Sequence, residues 1–273
     1  MGRSIKKGAY VDVKLEEKVL RSIAQYRKSA GRFLLSFGSA AAASLIEYLA
    51  KIPKLDQLSV AGSVRRGKET IGDVDLIVTG ASAPQALDAF TKHPGVSEVL
   101  GKGENKASVR FGVEGLQVDL RALPAAHYGA AMQYFTGSKE HNVTLRTRAQ
   151  KMGLTLNEYG LYRVESNELV AGETEDGIYA ALGLPWIPPE LRENSGEIEA
   201  ALEGRLPRLV ELSDMRGDLH MHTTETDGRA SLEEMAEAAR AMGYEYVAIT
   251  DHSKALAMAN GLDEQRVVDF AKR

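Results

Sequence analysis

Asp73 and Asp75 are the residues whose type and spacing speak most directly of chemistry. They open the run Val74-Asp75-Leu76-Ile77-Val78, which reads as a buried strand. Side chains alternate faces along a strand, so the two carboxylates share one face while Val74 and Leu76 enter a core. Neighbouring carboxylates disfavour each other's ionisation. A hard divalent cation relieves that repulsion, and Mg²⁺ commonly takes one or two carboxylates together with substrate phosphate oxygens. Upstream, Gly62-Ser63 reads as a turn whose backbone N–H groups can approach an anion closely, and Arg65, Arg66 and Lys68 add positive charge. Taken alone, Gly-Ser is an ordinary turn and a bare D-x-D pair is solvated. Together within residues 60–78 they are the parts of a metal-dependent phosphoryl or nucleotidyl transfer.

A third carboxylate follows. In Leu116-Gln117-Val118-Asp119-Leu120-Arg121, the leucines and valine fall on one face and Gln117, Asp119 and Arg121 on the other. If this strand pairs near Asp73 and Asp75, Asp119 joins the same cluster. Two cations about 3.5–4 Å apart can then clamp the attacking and leaving oxygens. Asp119 would bind the metal near the attacking hydroxyl or take its proton. The alternative is an ion pair with Arg121 or another base.

A second cluster lies near the C-terminus. Asp218-Leu219-His220-Met221-His222 puts two histidines on one face of a strand, Asp227 follows in a loop, and Asp251-His252 ends a second apolar strand. Imidazole with carboxylate suits Zn²⁺, Mn²⁺ or Fe. An isolated H-x-H is often structural; Asp227 and His252 favour a metal. Between the strands, Ser231-Leu232-Glu233-Glu234 is a capping box opening a helix to Ala241. The whole is a βαβ unit with polar residues at its strand ends, as in α/β barrels.

The elements that must position these groups are legible in outline. Two helices are expected over residues 15–50, the first through Leu15, Val19, Ile23 and Tyr26, the second over residues 39–50. A strand is expected from Gln57, a helix over 84–92 with Pro84 in its first turn, and strands over 96–99, 107–113 and 116–121. His93, His127 and His141 carry no metal-ligand spacing and read as structural. A helix over 139–152, with Gly153 at its C′ position, places Asn142 and Arg146 on one face. Without other context that pair is plain surface, and Tyr134 and Phe135 are core aromatics. Residues 154–191 read as short strands and a helix, with Trp186 as a packing anchor, and 192–213 as an acidic connector broken at Pro207.

The totals set bounds. The 273 residues suffice for about two domains. There is no cysteine, which fits a reducing compartment, and no apolar run nears the ~20 residues of a membrane span. The first residues are basic without an apolar signal-peptide segment, so a cytoplasmic location and no membrane are expected. Charge is segregated: residues 1–68 hold 14 basic against 5 acidic residues, and 161–273 hold 11 against 23. A basic front suggests a polyanionic partner, though a solvated helical surface reads alike.

The chain resembles the family X DNA polymerases, of the bacterial and archaeal type with a C-terminal polymerase and histidinol phosphatase (PHP) domain. The resemblance rests on Gly62-Ser63-Val64-Arg65-Arg66-Gly67, Gly72-Asp73-Val74-Asp75, Val118-Asp119-Leu120-Arg121 and Tyr134-Phe135-Thr136-Gly137-Ser138. It continues through Asn157-Glu158-Tyr159-Gly160-Leu161 and Ile187-Pro188-Pro189-Glu190-Leu191. The G-S…D-x-D element fits any nucleotidyltransferase; the run at residues 134–138 narrows it to this family.

The resemblance implies an α+β fold. A nucleotidyltransferase palm with a mixed or antiparallel sheet and flanking helices precedes a nucleotide-binding lobe and the first βαβ portion of a PHP α/β barrel. The implied boundaries are 1–57 for a helical fingers remnant, 58–125 for the palm, 126–191 for a thumb-like lobe, 192–213 for a linker and 214–273 for a truncated PHP domain. Asp73, Asp75 and Asp119 correspond to the catalytic metal triad for Mg²⁺ or Mn²⁺. Gly62, Ser63, Arg66 and Gly72 correspond to triphosphate contacts. Tyr134, Phe135 and Gly137 correspond to the sugar-discriminating turn, and Asn142 and Arg146 to contacts with base and template. His220, His222, Asp227 and His252 correspond to the first PHP metal ligands. The implied activity is DNA-directed addition of deoxynucleotides to a primer 3′-hydroxyl in gap-filling repair, with primer–template or gapped DNA and dNTP as partners and a monomer as the unit. Rival expectations are a template-independent nucleotidyltransferase, a PHP phosphoesterase or 3′→5′ exonuclease fragment, and an inactive DNA- or nucleotide-binding fragment. Only about 60 of the ~200 or more residues of a barrel are expected here, so the PHP segment should be thinly packed.

Overall fold

The computed structural model of the chain describes residues 32–273, which form two compact units divided between Leu206 and Pro207. The helix expected through Leu15, Val19, Ile23 and Tyr26 lies outside the described residues.

In the first unit a short strand β1 (Phe33–Leu34) leads into α1 (Leu35–Leu49), four residues earlier than the small-residue run alone suggests. β2 (Gln57–Val60) is followed by α2 (Gly62–Arg65), one helical turn where a plain turn was expected. Then come β3 (Thr70–Ile71), β4 (Asp73–Thr79), α3 (Ala83–Phe90), β5 (Val96–Lys102), β6 (Lys106–Phe111) and β7 (Leu116–Ala122). Five of these strands make one mixed sheet in the order β2-β4-β7-β6-β5. β4 and β7 run parallel at its centre; the other pairs are antiparallel.

The pleat divides this sheet chemically. Val74, Leu76, Val78, Val118 and Leu120 share one buried core with Leu45 and Leu49 of α1 and Leu87 and Phe90 of α3. A fully buried side chain of this size contributes about 1.5–3 kcal/mol. Helix α1 is therefore a layer of the palm and not part of a separate helical remnant ending at residue 57. On the opposite face Ile77 is covered by Ala131 and Met132, and Asp73, Asp75 and Asp119 share that face with Gln117 and Arg121.

A second core follows in the same unit. α4 (Tyr128–Thr136), α5 (Lys139–Lys151), the hairpin sheet β8 (Leu154–Asn157), β9 (Gly160–Arg163) and β10 (Leu169–Ala171), α6 (Glu175–Ala181) and α7 (Glu197–Leu202) enclose Leu145, Leu156, Leu161, Ile178 and Tyr179. The Ser138 side chain caps α5 by accepting the His141 N–H. Past its end, Gly153 takes φ +72°, the left-handed conformation a glycine tolerates. Two expectations are corrected here. Residues 192–202 are not connector: Arg192 is fully buried, and Ile198 and Ala201 of α7 belong to this core. Trp186 is 37% exposed and no core anchor; the Arg192 guanidinium lies over its ring at 5.6 Å.

The second unit pairs β11 (Gly217–Met221) in parallel with β12 (Tyr246–Ile249) through α8 (Leu232–Ala241), and ends in α9 (Glu264–Phe270). Ser231 and Glu234 form the expected capping box. Few apolar residues are buried here, among them Met221, Ala239, Ala259 and Leu262, while Leu219 and Tyr246 on the two strands are 65% and 51% exposed. A two-stranded parallel sheet with one crossover helix cannot cover both its faces.

Candidate active site

Register brings the palm carboxylates together. Asp75 on β4 is the direct partner of Asp119 on β7, and Asp73 shares their face two residues away. Their environments differ. Burial, with the charges of Asp73 and Asp119, pushes the Asp75 carboxyl up to about 7. Burial and Asp119 also raise Asp73. Burial works in the same sense on Asp119, but hydrogen bonds from Lys106, Ser108 and Gln117 outweigh it and hold this carboxyl below its ordinary value. The base paired with Asp119 is Lys106, whose Nζ lies 2.5 Å from Oδ2; it is not Arg121. A negative cluster that resists full ionisation fits a divalent cation, which would neutralise Asp73 and Asp75 together.

Beside the carboxylates, α2 brings its first turn close to β4. The first N–H groups of a helix have no acceptor inside it. Gly62 has φ +65°, and a Cβ there would lie 2.7 Å from Oδ2 of Asp75. Any other residue would strain the turn and press on the carboxylate. Gly62, Ser63, Arg66, Asp73, Asp75, Tyr134, Phe135, Gly137, Asn142 and Arg146 line one open cleft of ≈ 330 Å³, with Thr136 and Lys139. Of the residues expected at the nucleotide, Gly72 does not line the cleft. Its place between β3 and β4 starts the Asp73 strand.

The far wall is set by α4, α5 and the link between them, where Gly137 has φ +73° and a cis peptide joins it to Ser138. Tyr134 and Phe135 are half-buried and meet edge to face at 5.0 Å, and the Arg121 guanidinium lies 4.1 Å from the Phe135 ring centre. They are not plain core aromatics. Asn142 is buried, not surface: its side chain donates to the Tyr134 carbonyl at 2.7 Å and accepts from Gln133 Nε2 at 2.6 Å. One turn on, Arg146 is half-buried on the same face.

Several supporting groups were not legible from local sequence. Arg65 and Arg192 both grip Glu175, at 2.6 Å each, and Arg65 also donates to Thr136 Oγ1. Those cations hold the Glu175 carboxyl low against its burial. His141, read as structural, is buried with Nδ1 2.6 Å from Glu197 and Nε2 2.9 Å from the Tyr179 hydroxyl. Glu197 also accepts the N–H groups of Asn194 and Ser195. Lys106 did have a signal. Lys106, Ser108 and Arg110 alternate on the polar face of β6, which an antiparallel pairing lays beside Asp119.

In the second unit, ligand atoms of His222, Asp227 and His252 all lie within 4.8 Å of one another. This is the one such group among the described residues; the three palm carboxylates are more widely spaced. Two imidazoles and a carboxylate are a donor set for Zn²⁺, Mn²⁺ or Fe²⁺. His222 Nδ1 is buried without a hydrogen bond, 3.4 Å from Asp227 Oδ1, as a ligand nitrogen beside a second ligand would be. Expected beside them, His220 stays outside the cluster, its ring 5.1 Å from that of His222. Asp251 is bound to the Thr223 N–H and hydroxyl.

Comparison with known proteins matches both units. Residues 131–193 match the DNA polymerase beta thumb family, and residues 218–273 match the PHP domain family. The chain is 37% identical over 260 residues to the DNA polymerase/3′-5′ exonuclease PolX of Bacillus subtilis, covering 95% of this chain and 45% of that protein. It is 27% identical over 160 residues to DNA polymerase lambda of Rattus norvegicus, covering 48% of this chain and 28% of that protein. With the DNA-directed DNA/RNA polymerase mu of Homo sapiens it shares 36% identity over 78 residues, 28% of this chain and 16% of that one. The chain thus spans less than half the length of each of these relatives. No described helix is long and apolar enough to cross a membrane. With a polymerase thumb and a PHP segment in one chain, and a PolX relative aligned along nearly all of it, the chain belongs to the family X DNA polymerases of the bacterial type that carries a PHP domain.

Proposed function

We propose that this chain is a DNA-directed DNA polymerase that fills gaps during repair, with gapped DNA and a deoxynucleoside triphosphate as substrates. It acts as a monomer, and its lack of cysteine suits the cytoplasm. One observation carries the reading. Asp75 and Asp119 are register partners on the polar face of the palm sheet, and Asp73 and Asp75 line one cleft with Ser63 and Arg66.

Asp73, Asp75 and Asp119 would hold two Mg²⁺ or Mn²⁺ ions. Bound there, these ions neutralise charge on the phosphate oxygens and make the primer hydroxyl a better nucleophile. The primer 3′-oxygen attacks the α-phosphorus, the bond to the β-phosphate breaks, and pyrophosphate leaves. Asp119 orients the attacking hydroxyl and is the nearest base for its proton. Ser63 and Arg66 hold the triphosphate. Tyr134, Phe135 and Gly137 meet the sugar, and Asn142 and Arg146 face base and template. Primer extension on gapped DNA with Mg²⁺ or Mn²⁺, run beside Asp75→Ala, tests this. Template-directed addition lost in the variant is expected. Addition by the variant at the parent rate, or addition without regard to template, would overturn it.

A second activity is proposed on the cluster His222–Asp227–His252, with three donor groups within 4.8 Å. It is a divalent metal centre for phosphoester hydrolysis, which agrees with the exonuclease in the name of the Bacillus subtilis relative.

A further inference from the structure

Arg66, the cation of the phosphate side of the cleft, already holds an anion. Its Nε donates to Oε1 of Glu193 at 2.7 Å, and its Nη1 donates to the Thr136 carbonyl. Lys68 Nζ stands 3.6 Å from the same Glu193 oxygen. One carboxylate thus occupies two of the three basic residues contributed by residues 62–68.

The carboxylate is delivered by a fixed backbone. Arg192, the residue before it, is fully buried, bound to Glu175 at 2.6 Å and to the Ile187 carbonyl at 2.8 Å. The Arg192 carbonyl accepts the Ser138 N–H at 2.9 Å. On the other side, the N–H groups of Asn194 and Ser195 are held by Glu197 at 2.9 and 2.7 Å. Between these clamps the Glu193 side chain is 30% exposed, so it can leave its partners without unfolding anything.

A guanidinium binds carboxylate and phosphate through the same N–H groups. A phosphate chain that takes the Nε edge of Arg66 must therefore displace Glu193, and one held only at the other guanidinium N–H groups still meets its negative charge beside it. Arg66 also lines a second open cavity with Arg32, Lys68 and Thr70. Pyrophosphate bound at Arg66 and Lys68 after bond cleavage meets the same competitor when it leaves.

We infer that Glu193 is a built-in competitor for polyphosphate at Arg66 and Lys68, which weakens the hold on the incoming triphosphate and on the pyrophosphate product alike. This rests on the proposed triphosphate role of Arg66. It adds a residue that sets affinity without touching the reacting atoms.

The test is equilibrium binding to the full chain, with Mg²⁺, of three probes: a deoxynucleoside triphosphate, inorganic tripolyphosphate and pyrophosphate. The variants are Glu193→Gln, Arg66→Gln and the double substitution, each checked by thermal melting. Glu193→Ala serves if Glu193→Gln does not fold. We expect Glu193→Gln to bind all three probes about two- to fivefold tighter, as for removal of a partly exposed ion pair. The gain should vanish in the Arg66→Gln background. Equal or weaker binding by Glu193→Gln, while Arg66→Gln loses binding, overturns the inference and leaves the triphosphate site standing. Binding indifferent to Arg66→Gln overturns both. A gain at Glu193 that needs Arg66, in a chain that extends no primer, supports the competition and removes the polymerase reading.

Discussion

Lys106 and Asp119 form an ion pair across neighbouring strands of the palm, with Nζ 2.5 Å from Oδ2. Of the three clustered carboxylates it makes Asp119 the one held below its ordinary pKa, while Asp73 and Asp75 are raised. Three like-charged groups on one face are thereby sorted into one reliably ionised member and two that wait for a counter-charge.

Lys106→Ala should expose this division. Asp119 loses its strongest hydrogen-bond donor, so its carboxyl rises. The acid limb of the pH–rate profile for nucleotide addition should move to higher pH, with about a tenfold loss on that limb and a smaller one above it. Superimposable profiles for parent and variant would show that Lys106 has no part in keeping Asp119 ionised.

Asp75 makes a prediction about stability. Its carboxyl sits at about 7 in the fold against an ordinary value of 3.8. The folded state therefore binds the proton more tightly than the unfolded state. By linkage, this group's contribution to stability is greatest below pH 3.8 and declines as pH rises through about 7. Metal-free protein should lose melting temperature across that window, and Asp75→Asn should flatten the loss. A bound cation offsets it, so Mg²⁺ should raise the melting temperature more at pH 8 than at pH 5. Scanning fluorimetry over pH with and without Mg²⁺ decides this; an equal gain at both pH values counts against a cation between these carboxylates.

Glu175 is caught between Arg65 and the fully buried Arg192. Removing the carboxylate leaves a buried guanidinium without its counter-charge, which costs about 3–5 kcal/mol. Glu175→Gln should shift the urea midpoint downward accordingly. It should also impair nucleotide addition, because Arg65 links α2 to Thr136 at the end of α4. A variant as stable as the parent would mean that Arg192 finds another partner at no cost.

Why some of this was legible and some not follows from range. Asp73, Val74, Asp75 and Leu76 declare their faces by alternation, and so do Val118, Asp119 and Leu120; the sheet only had to lay one strand beside the other. Gly153 declared the end of α5 because only a residue at φ +72° is needed there. Glu175 and Arg65 are 110 residues apart, and no period or spacing ties them. Residues 192–202 looked like a connector because their acidic side chains dominate the composition. Yet Glu197 is buried on His141, and Arg192 on Glu175, so charge here marks partners within the fold. His220, also expected as a ligand, stands beside the cluster with its ring 5.1 Å from that of His222, and the donor group within 4.8 Å uses His222 with loop residues Asp227 and His252, whose nearness no local spacing announces.

That cluster yields the last prediction. Asp227 lies 3.4 Å from His222 Nδ1 and 3.4 Å from His252 Nε2, so it bridges two imidazoles that would otherwise face each other alone. A divalent ion takes neutral imidazole and ionised carboxylate together, and losing the single anionic donor removes the largest electrostatic contribution to binding. Metal analysis of the intact chain after loading with Zn²⁺ or Mn²⁺ should find an ion that Asp227→Asn and His252→Gln release. His220→Gln should retain it, because that ring stands outside the donor set. Nucleotide addition at the palm should be unaffected by Asp227→Asn, which separates a metal lost from the second unit from general unfolding. If His220→Gln loses the ion as completely as Asp227→Asn, the centre includes His220 and the donor set drawn from His222, Asp227 and His252 alone is wrong.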